Sequence, residues 1–198
     1  MPADAPHGLA DTAEEWPVVG SQDLYRGAAP FAVRSDRLHR PGDGPDEAFD
    51  RVVVEHPGAA VVLAVDDDER VLVVVQYRHP AGRRFVELPA GLLDKPGEDP
   101  EEAARRELLE ETGYEARSWT HLASTWSSPG ITGELIHLYL ARGLSPGDRG
   151  DFVAEHEEAD MQLYWLPLAD LVEGVLAGTI ADAPVVNAVL LARAKGLL

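Results

Sequence analysis

The sequence contains no cysteine. Disulfides, thiolate metal sites and cysteine nucleophiles are therefore excluded, and the chain suits a reducing compartment. Positive charge is scarce too: 17 Lys and Arg stand against 35 Asp and Glu, for a net charge of −18. Nucleic-acid and anionic-membrane binders need a basic footprint, so neither partner is expected. A small anionic ligand would need local arginines or a bridging cation. No apolar run approaches the ~20 residues that span a bilayer. The opening MPADAPHGLADTAEEWP is acidic and rich in Pro and Ala, without the basic and apolar stretches of a signal peptide. A soluble, cytoplasmic protein is expected.

What is present suits one compact domain with an accessory subdomain: 198 residues, 45% hydrophobic and 26% charged. Residues 1–17 read as a flexible tail. Strand-like pieces follow in PFAVRSDRLHR and FDRVVVEHPGAAVVLAV, separated by the turn-forming RPGDGPDE. Further strands are expected over 69–79, 83–91, 119–126, 134–141 and 161–166, and closing helices over 168–177 and 184–195. The helices are too few for a doubly wound parallel sheet, so a mixed-sheet α/β sandwich fits better.

The informative stretch is GLLDKPGEDPEEAARRELLEETGY, residues 91–114. Asp99 suits an N-cap, Pro100 the first helical position, Glu102 a capping box and Gly113 the C-terminal stop, which predicts a helix over 100–112. Its first half is ordinary: Glu101–Arg105, Glu102–Arg106 and Arg106–Glu110 are favourable i,i+4 pairs. Its second half is not. Glu107 and Glu111 form a like-charge i,i+4 pair beside Glu110, at the negative end of the helix dipole, and each effect costs some tenths of a kcal/mol. At about 100° per residue, Glu111 falls between Glu107 and the apolar Ala104/Leu108 pair, bordering the buried stripe. One explanation is an exposed charged face. The other is a site for divalent cations, and oxygen ligands at this density favour Mg²⁺ or Mn²⁺.

These residues resemble the Nudix box of the Nudix hydrolases, G-x5-E-x7-R-E-U-x-E-E-x-G-U with U aliphatic or aromatic. Glu98, seven residues, then Arg106-Glu107-Leu108, Glu110-Glu111 and Gly113-Tyr114 match. Gly91 and Glu98 are separated by six residues instead of five, and the extra residue is expected as a bulge in the loop. The stretches VVEHPGAAVVLAV, QYRHPAGRRFVELPAGLLD, SPGITGELIHLYLA and EEADMQLYWLPL are similar to the ADP-ribose pyrophosphatase branch. That resemblance implies a Nudix-type α/β/α sandwich with a mixed sheet over 57–198, and an N-terminal β subdomain over 18–56. It also implies a homodimer in which the N-terminal strands cross onto the partner.

By the same resemblance, Glu107 and Glu111 are the central ligands of Mg²⁺ or Mn²⁺, Glu110 shares the work, and the Ala90 backbone carbonyl completes the site. Arg106 orients the carboxylates or forms a simple helix salt bridge, and Glu98 is structural or a minor ligand. Glu157 and Glu158, in EHEEAD, are the candidate general bases. Arg78 is expected to contact the adenosine diphosphate portion, with Arg83 and Arg84 as weaker candidates. Glu87 would bond ribose hydroxyls or support its loop, and SPGITGE (128–134), with Gly130, resembles the loop whose Glu contacts the terminal ribose, so Glu134 would set substrate specificity or play a structural role. Tyr25 or Phe31 would stack on adenine unless they are core residues. The seven histidines show no HExxH pattern and read as incidental, although His56 and His79 lie near candidate site loops. The implied activity is Mg²⁺-dependent hydrolysis of ADP-ribose to AMP and ribose 5-phosphate. The alternatives are another nucleoside diphosphate sugar, NADH or an oxidised nucleotide as substrate, or a non-catalytic ADP-ribose-binding module. The intact box argues against the last.

Overall fold

The structure, a computed structural model, describes residues 8–149 and 160–198. The chain divides into two compact units, Met1–Val54 and Glu55–Leu198.

In the first unit, β1 (Val18–Arg26), β2 (Ala32–Leu38) and β3 (Phe49–Glu55) form a three-stranded sheet in that order, β1 pairing antiparallel with β2. The segment before β1 is tied down at its end. Trp16 meets Phe49 edge-on at 6.4 Å, and the Pro17 carbonyl accepts the His39 amide at 3.2 Å. All nine residues of β1 are exposed, among them the large apolar Val18, Val19, Leu24 and Tyr25.

The second unit is built on a seven-stranded mixed sheet. Its strands are β4 (Ala59–Val65), β5 (Arg70–Arg78), β6 (Arg83–Glu87), β7 (Ala90–Leu92), β8 (Tyr114–Trp126), β9 (Leu135–Pro146) and β10 (Gln162–Pro167). The order is β10-β5-β4-β9-β8, with β6 beside β5 and β7 beside β4. Only β4 and β9 pair in parallel among the registered neighbours, running from Ala59↔Ile136 to Val65↔Arg142.

Helix α1 (Pro100–Thr112) covers one face, and α2 (Leu168–Ala177) with α3 (Ala183–Ala194) covers the other. Because both faces are buried, β4 reads as an unbroken apolar run instead of an alternating one. Ala60, Val62 and Ala64 pack with Ala103, Ala104 and Leu108 of α1. Val61, Leu63 and Val65 pack with Leu171, Val185, Ala188 and Val189 of the other two helices. This is the expected α/β/α sandwich.

Several strand expectations change in detail: the strand expected over 83–91 is divided into β6 and β7, and β9 runs on to Pro146 beyond the expected 141. FDRVVVEHPGAAVVLAV is two strands in two different sheets, parted at 56–58 where Gly58 takes φ 97°, a conformation glycine enters without steric cost. Strand β8 begins at Tyr114, five residues earlier than expected.

Candidate active site

Helix α1 forms where its local signals place it. The Asp99 carboxylate accepts the Glu101 amide at 2.8 Å, Pro100 opens the helix, and Gly113 closes it at φ 76° with its N–H on the Leu109 carbonyl. The buried face comprises Ala103, Ala104, Leu108, Glu111 and Thr112, so Glu111 lies on the apolar stripe and is only 8% exposed.

Strand β7 brings its backbone against that acidic end. It is fixed by pairing with β4, Ala60 opposite Gly91 and Val61 opposite Ala90. The Ala90 N–H donates to Glu111 Oε2 at 3.0 Å. Gly91 lies against Glu107 so closely that a Cβ there would overlap the carboxyl group. The glycine is required by this close approach, and its φ is not in the left-handed region. The loop between β7 and α1, where the additional residue is expected, contains a tight turn. Gly97 takes φ 80° and the Glu98 amide closes onto the Lys95 carbonyl at 3.1 Å.

Arg106 joins the carboxylates. Its Nε and Nη2 donate bidentately to Glu98 at 2.9 Å each, and its Nη1 donates to Glu107 at 2.5 Å and Glu110 at 2.9 Å. The guanidinium is thus both a helix ion pair and an orienting group for two of the expected ligands. Burial pushes the Glu107 carboxyl above its ordinary value, with Arg106 opposing. Hydrogen bonds from Arg106 hold Glu98 below its own.

Among the described residues, no group of three or more His, Asp or Glu side chains is gathered as a ready metal cage. Here Glu107 and Glu110 are engaged by Arg106, and Glu111 by the Ala90 amide. The donor set nevertheless fits a hard divalent cation. Buried carboxylate oxygens are concentrated against a backbone stripped of side chain at Gly91, and the charge on Glu107 is disfavoured by desolvation, which a cation would relieve.

A second cluster forms on the β5–β6 hairpin. Glu87 is 6% exposed. It accepts Arg78 Nε at 2.9 Å, Arg78 Nη2 at 2.7 Å and Gln76 Nε2 at 2.8 Å. Its carboxylate is spent on holding Arg78, which favours the supporting role over ribose binding. Arg78 remains half exposed and also feels Glu111. Arg83, opposite Arg78 in the register, is exposed at the start of β6. Arg84 forms an ion pair with Asp160.

Glu134 stands just before β9, next to the start of β4, where Ala59 pairs with both Leu92 and Ile136. It faces His56 Nε2 at 3.6 Å, while His56 Nδ1 accepts the Gly58 amide at 3.1 Å. His56 thus links Glu134 to the turn at Gly58. Gly130 lies in the exposed turn ahead of Glu134, where the Ile131 amide bonds the Ser128 carbonyl. Tyr25 and Phe31 belong to the first unit and are 62% and 42% exposed, so neither is a core residue there.

Glu157 and Glu158 lie outside the described residues. The residues flanking that segment are anchored: Arg149 Nε donates to the Glu110 carbonyl at 2.8 Å, and Asp160 binds Arg84.

Sequence reasoning missed Asp182. It caps α3 by accepting the Val185 amide at 3.1 Å, and burial together with Glu87 raises its pKa to about 6, against Arg78. An Asp ahead of a helix is legible as a cap; that its carboxyl is held above its ordinary value by burial is not. Two hollows are lined without Glu107, Glu110 or Glu111. One, of about 460 Å³, is lined by Glu69, Leu168, Val172, Arg193 and Leu198, and none of the α1 carboxylates reaches it. The other, of about 390 Å³, lies beside Arg105, Arg106 and Trp119.

Residues 54–189 match the NUDIX domain family. The chain is 42% identical over 180 residues to an ADP-ribose pyrophosphatase of Mycobacterium tuberculosis, covering 91% of this chain and 84% of that protein. It is 48% identical over 99 residues to an ADP-ribose pyrophosphatase of Bacillus subtilis, covering 50% and 53% of the two chains. A crystal structure of an ADP compounds hydrolase superposes with TM-score 0.70 at 24% identity, over 95% of this chain and 98% of that one, which is a likeness of fold. The chain belongs to the NUDIX domain family.

Proposed function

We propose that this protein hydrolyses the pyrophosphate of ADP-ribose to AMP and ribose 5-phosphate with Mg²⁺, or Mn²⁺ in its place, as cofactor. The observation that carries the reading is the contact between β7 and α1. Gly91 gives its side-chain space to Glu107 while the Ala90 amide holds Glu111, so one half-buried and one buried carboxylate are fixed against the strand backbone. Glu107, Glu110 and Glu111 would hold the cation together with the Ala90 carbonyl. A bound divalent cation neutralises phosphate charge and acidifies a water. The chain's own residues then orient and bind. Arg106 fixes the directions of Glu107 and Glu110, and Arg78, held by Glu87 and Gln76, offers a half-exposed guanidinium to the diphosphate. Glu134, backed by His56, would face the terminal ribose together with Gly130, and Arg83 would stand beside Arg78 at the diphosphate.

Water adds across the phosphoanhydride: its oxygen joins one phosphorus, and the bridging oxygen leaves with the other phosphate. A carboxylate of the segment containing Glu157 and Glu158 takes the water's proton. This role is supported by the anchoring of both flanks, at the Glu110 carbonyl and at Arg84. ADP-ribose as substrate is supported by the relatives named for that activity. Assembly as a homodimer is supported by the exposed apolar side chains of β1. The protein acts in the cytoplasm, a placement supported by the absence of cysteine, and among the described residues no helix is long and apolar enough to cross a membrane.

The test is a panel of ADP-ribose, NADH, ADP-glucose, GDP-mannose and 8-oxo-dGTP, each with and without Mg²⁺. ADP-ribose should be turned over with the highest kcat/KM, and only with metal. Tight ADP-ribose binding with no turnover of any compound would instead indicate a binding module.

A further inference from the structure

We propose that His121 and His137 form a binding site for a divalent transition-metal cation of the Zn²⁺ class, on strands β8 and β9 and separate from the carboxylates of α1.

A break in strand alternation brings the two rings together. His137 and Tyr139 are two residues apart in β9 and so share a face, the one on which Tyr139 packs with Ala103, Ala104 and Leu108 of α1. His121 lies opposite Tyr139 in the register, with ring centroids 5.3 Å apart, and Ser124 lies opposite His137. In a regular strand His121 and Ser124, three residues apart, would point to opposite faces. The register shift between His121 and Ala123 removes that conflict. The extra residue is Leu122, which stays in the core on the far face, while Ser124 is turned back to the side of His121. Re-aiming a side chain is what a bulge does at the expense of ladder bonds. Here it gathers two imidazoles and a hydroxyl.

The convergence is close. His121 Nε2 lies 3.0 Å from Ser124 Oγ, and His137 Nδ1 lies 2.9 Å from the same oxygen. Two ring nitrogens from neighbouring strands therefore face one point. Zinc–imidazole bonds are about 2.0–2.1 Å long, so an ion at that point needs each nitrogen to approach by only about 0.9 Å. The hydroxyl clears the space by moving to another staggered rotamer. His121 and Ser124 are exposed and His137 partly so, which leaves the point open to an ion from solvent. The serine has a single proton, so it donates to one ring and accepts from the other, and one facing nitrogen carries a lone pair in either arrangement. Burial, with His121 beside it, pushes the His137 ring below its ordinary value, so that ring is uncharged at neutral pH. Two imidazoles supply half of a tetrahedral shell and leave the rest to water. Imidazole suits Zn²⁺, Ni²⁺ and Cu²⁺, whereas Mg²⁺ keeps to oxygen ligands, so this pair and the α1 carboxylates select different metals.

The test is a Zn²⁺ titration of the full chain at neutral pH, with Mg²⁺ in excess to occupy the carboxylates, read by long-range proton–nitrogen correlation of the histidine rings. Of the seven histidines, His121 and His137 should shift together and saturate with one affinity, the largest changes falling on His121 Nε2 and His137 Nδ1. His121→Gln and His137→Gln should each weaken Zn²⁺ by at least about tenfold, since losing even a group that merely orients a metal ligand costs that much. Melting should be unchanged in H121Q, whose side chain is exposed. Ser124→Ala removes the hydroxyl that the ion replaces and should bind Zn²⁺ at least as tightly as the wild type. No shift at either ring, equal shifts at the other histidines, unchanged affinity in both glutamine variants, or loss of binding in S124A would overturn the inference. Mg²⁺-dependent hydrolysis by H121Q, which keeps the α1 carboxylates, is measured separately, so failure of this site and failure of the substrate reading are distinguishable.

Discussion

Gly91→Ala is the smallest change that should damage both stability and catalysis. The added methyl would sit on the carboxyl group of Glu107, overlapping its Cδ, Oε1 and Cγ. Neither side can yield easily. Glu107 is held by Arg106 at 2.5 Å, and Arg106 is fixed in turn by its bidentate bond to Glu98. The Gly91 backbone is locked in the ladder with β4, opposite Ala60. Overpacking of this kind costs about 1–3 kcal/mol. At about 2–4 °C per kcal/mol for a domain of this size, the melting temperature should fall by roughly 2–12 °C. Activity should suffer more, because displacing a positioned group by about 1 Å costs on the order of 100-fold. Thermal unfolding and kcat with Mg²⁺ and ADP-ribose read the two effects on one preparation. A variant with wild-type melting and wild-type kcat would refute the claim that Gly91 exists to admit Glu107.

Two further outcomes follow from the same account. Glu157→Gln and Glu158→Gln should differ sharply in kcat, the general base losing about 100-fold or more and its neighbour little; equal mild losses would remove both from that role. Light scattering should give about twice the 21.4 kDa of one chain, and a monomer mass would leave the exposed apolar face of β1 without its proposed partner.

The parts legible in the sequence are those fixed by local chemistry. Helix α1 spans 100–112 as read, because Asp99, Pro100 and Gly113 mark its two ends through bonds and dihedrals that involve only neighbouring residues. The placement of Glu111 on the apolar stripe also follows from helical periodicity alone. Errors begin where long-range pairing decides. The first residues of β8 alternate with charged Glu115 and Arg117, too polar to announce a strand, yet they pair with β9 from Tyr114↔Pro146 onward. The apolar run through β3 and β4 looks continuous, and only the left-handed Gly58 and the switch of sheet divide it.

The site shows the same boundary between local and distant information. The carboxylates of α1 are adjacent in sequence and could be found together. The partnership of Arg78 with Glu87 depends on the β5–β6 register, and that of His56 with Glu134 on segments nearly eighty residues apart. None of these pairings leaves a periodic or motif signal. The irregular spacing between Gly91 and Glu98 is visible in the sequence, whereas the tight turn closed by the Lys95–Glu98 bond is not.

The most direct test of the central claim is ADP-ribose hydrolysis by the wild-type protein and by Glu111→Gln, with and without Mg²⁺, the products being resolved by anion exchange. Glutamine keeps an oxygen for the Ala90 amide, so the fold and its melting should persist while the negative charge is lost. The account predicts AMP and ribose 5-phosphate from wild type only when Mg²⁺ is present, and a loss of most activity in the folded variant. Metal-independent turnover, or near-normal turnover by E111Q, would contradict it.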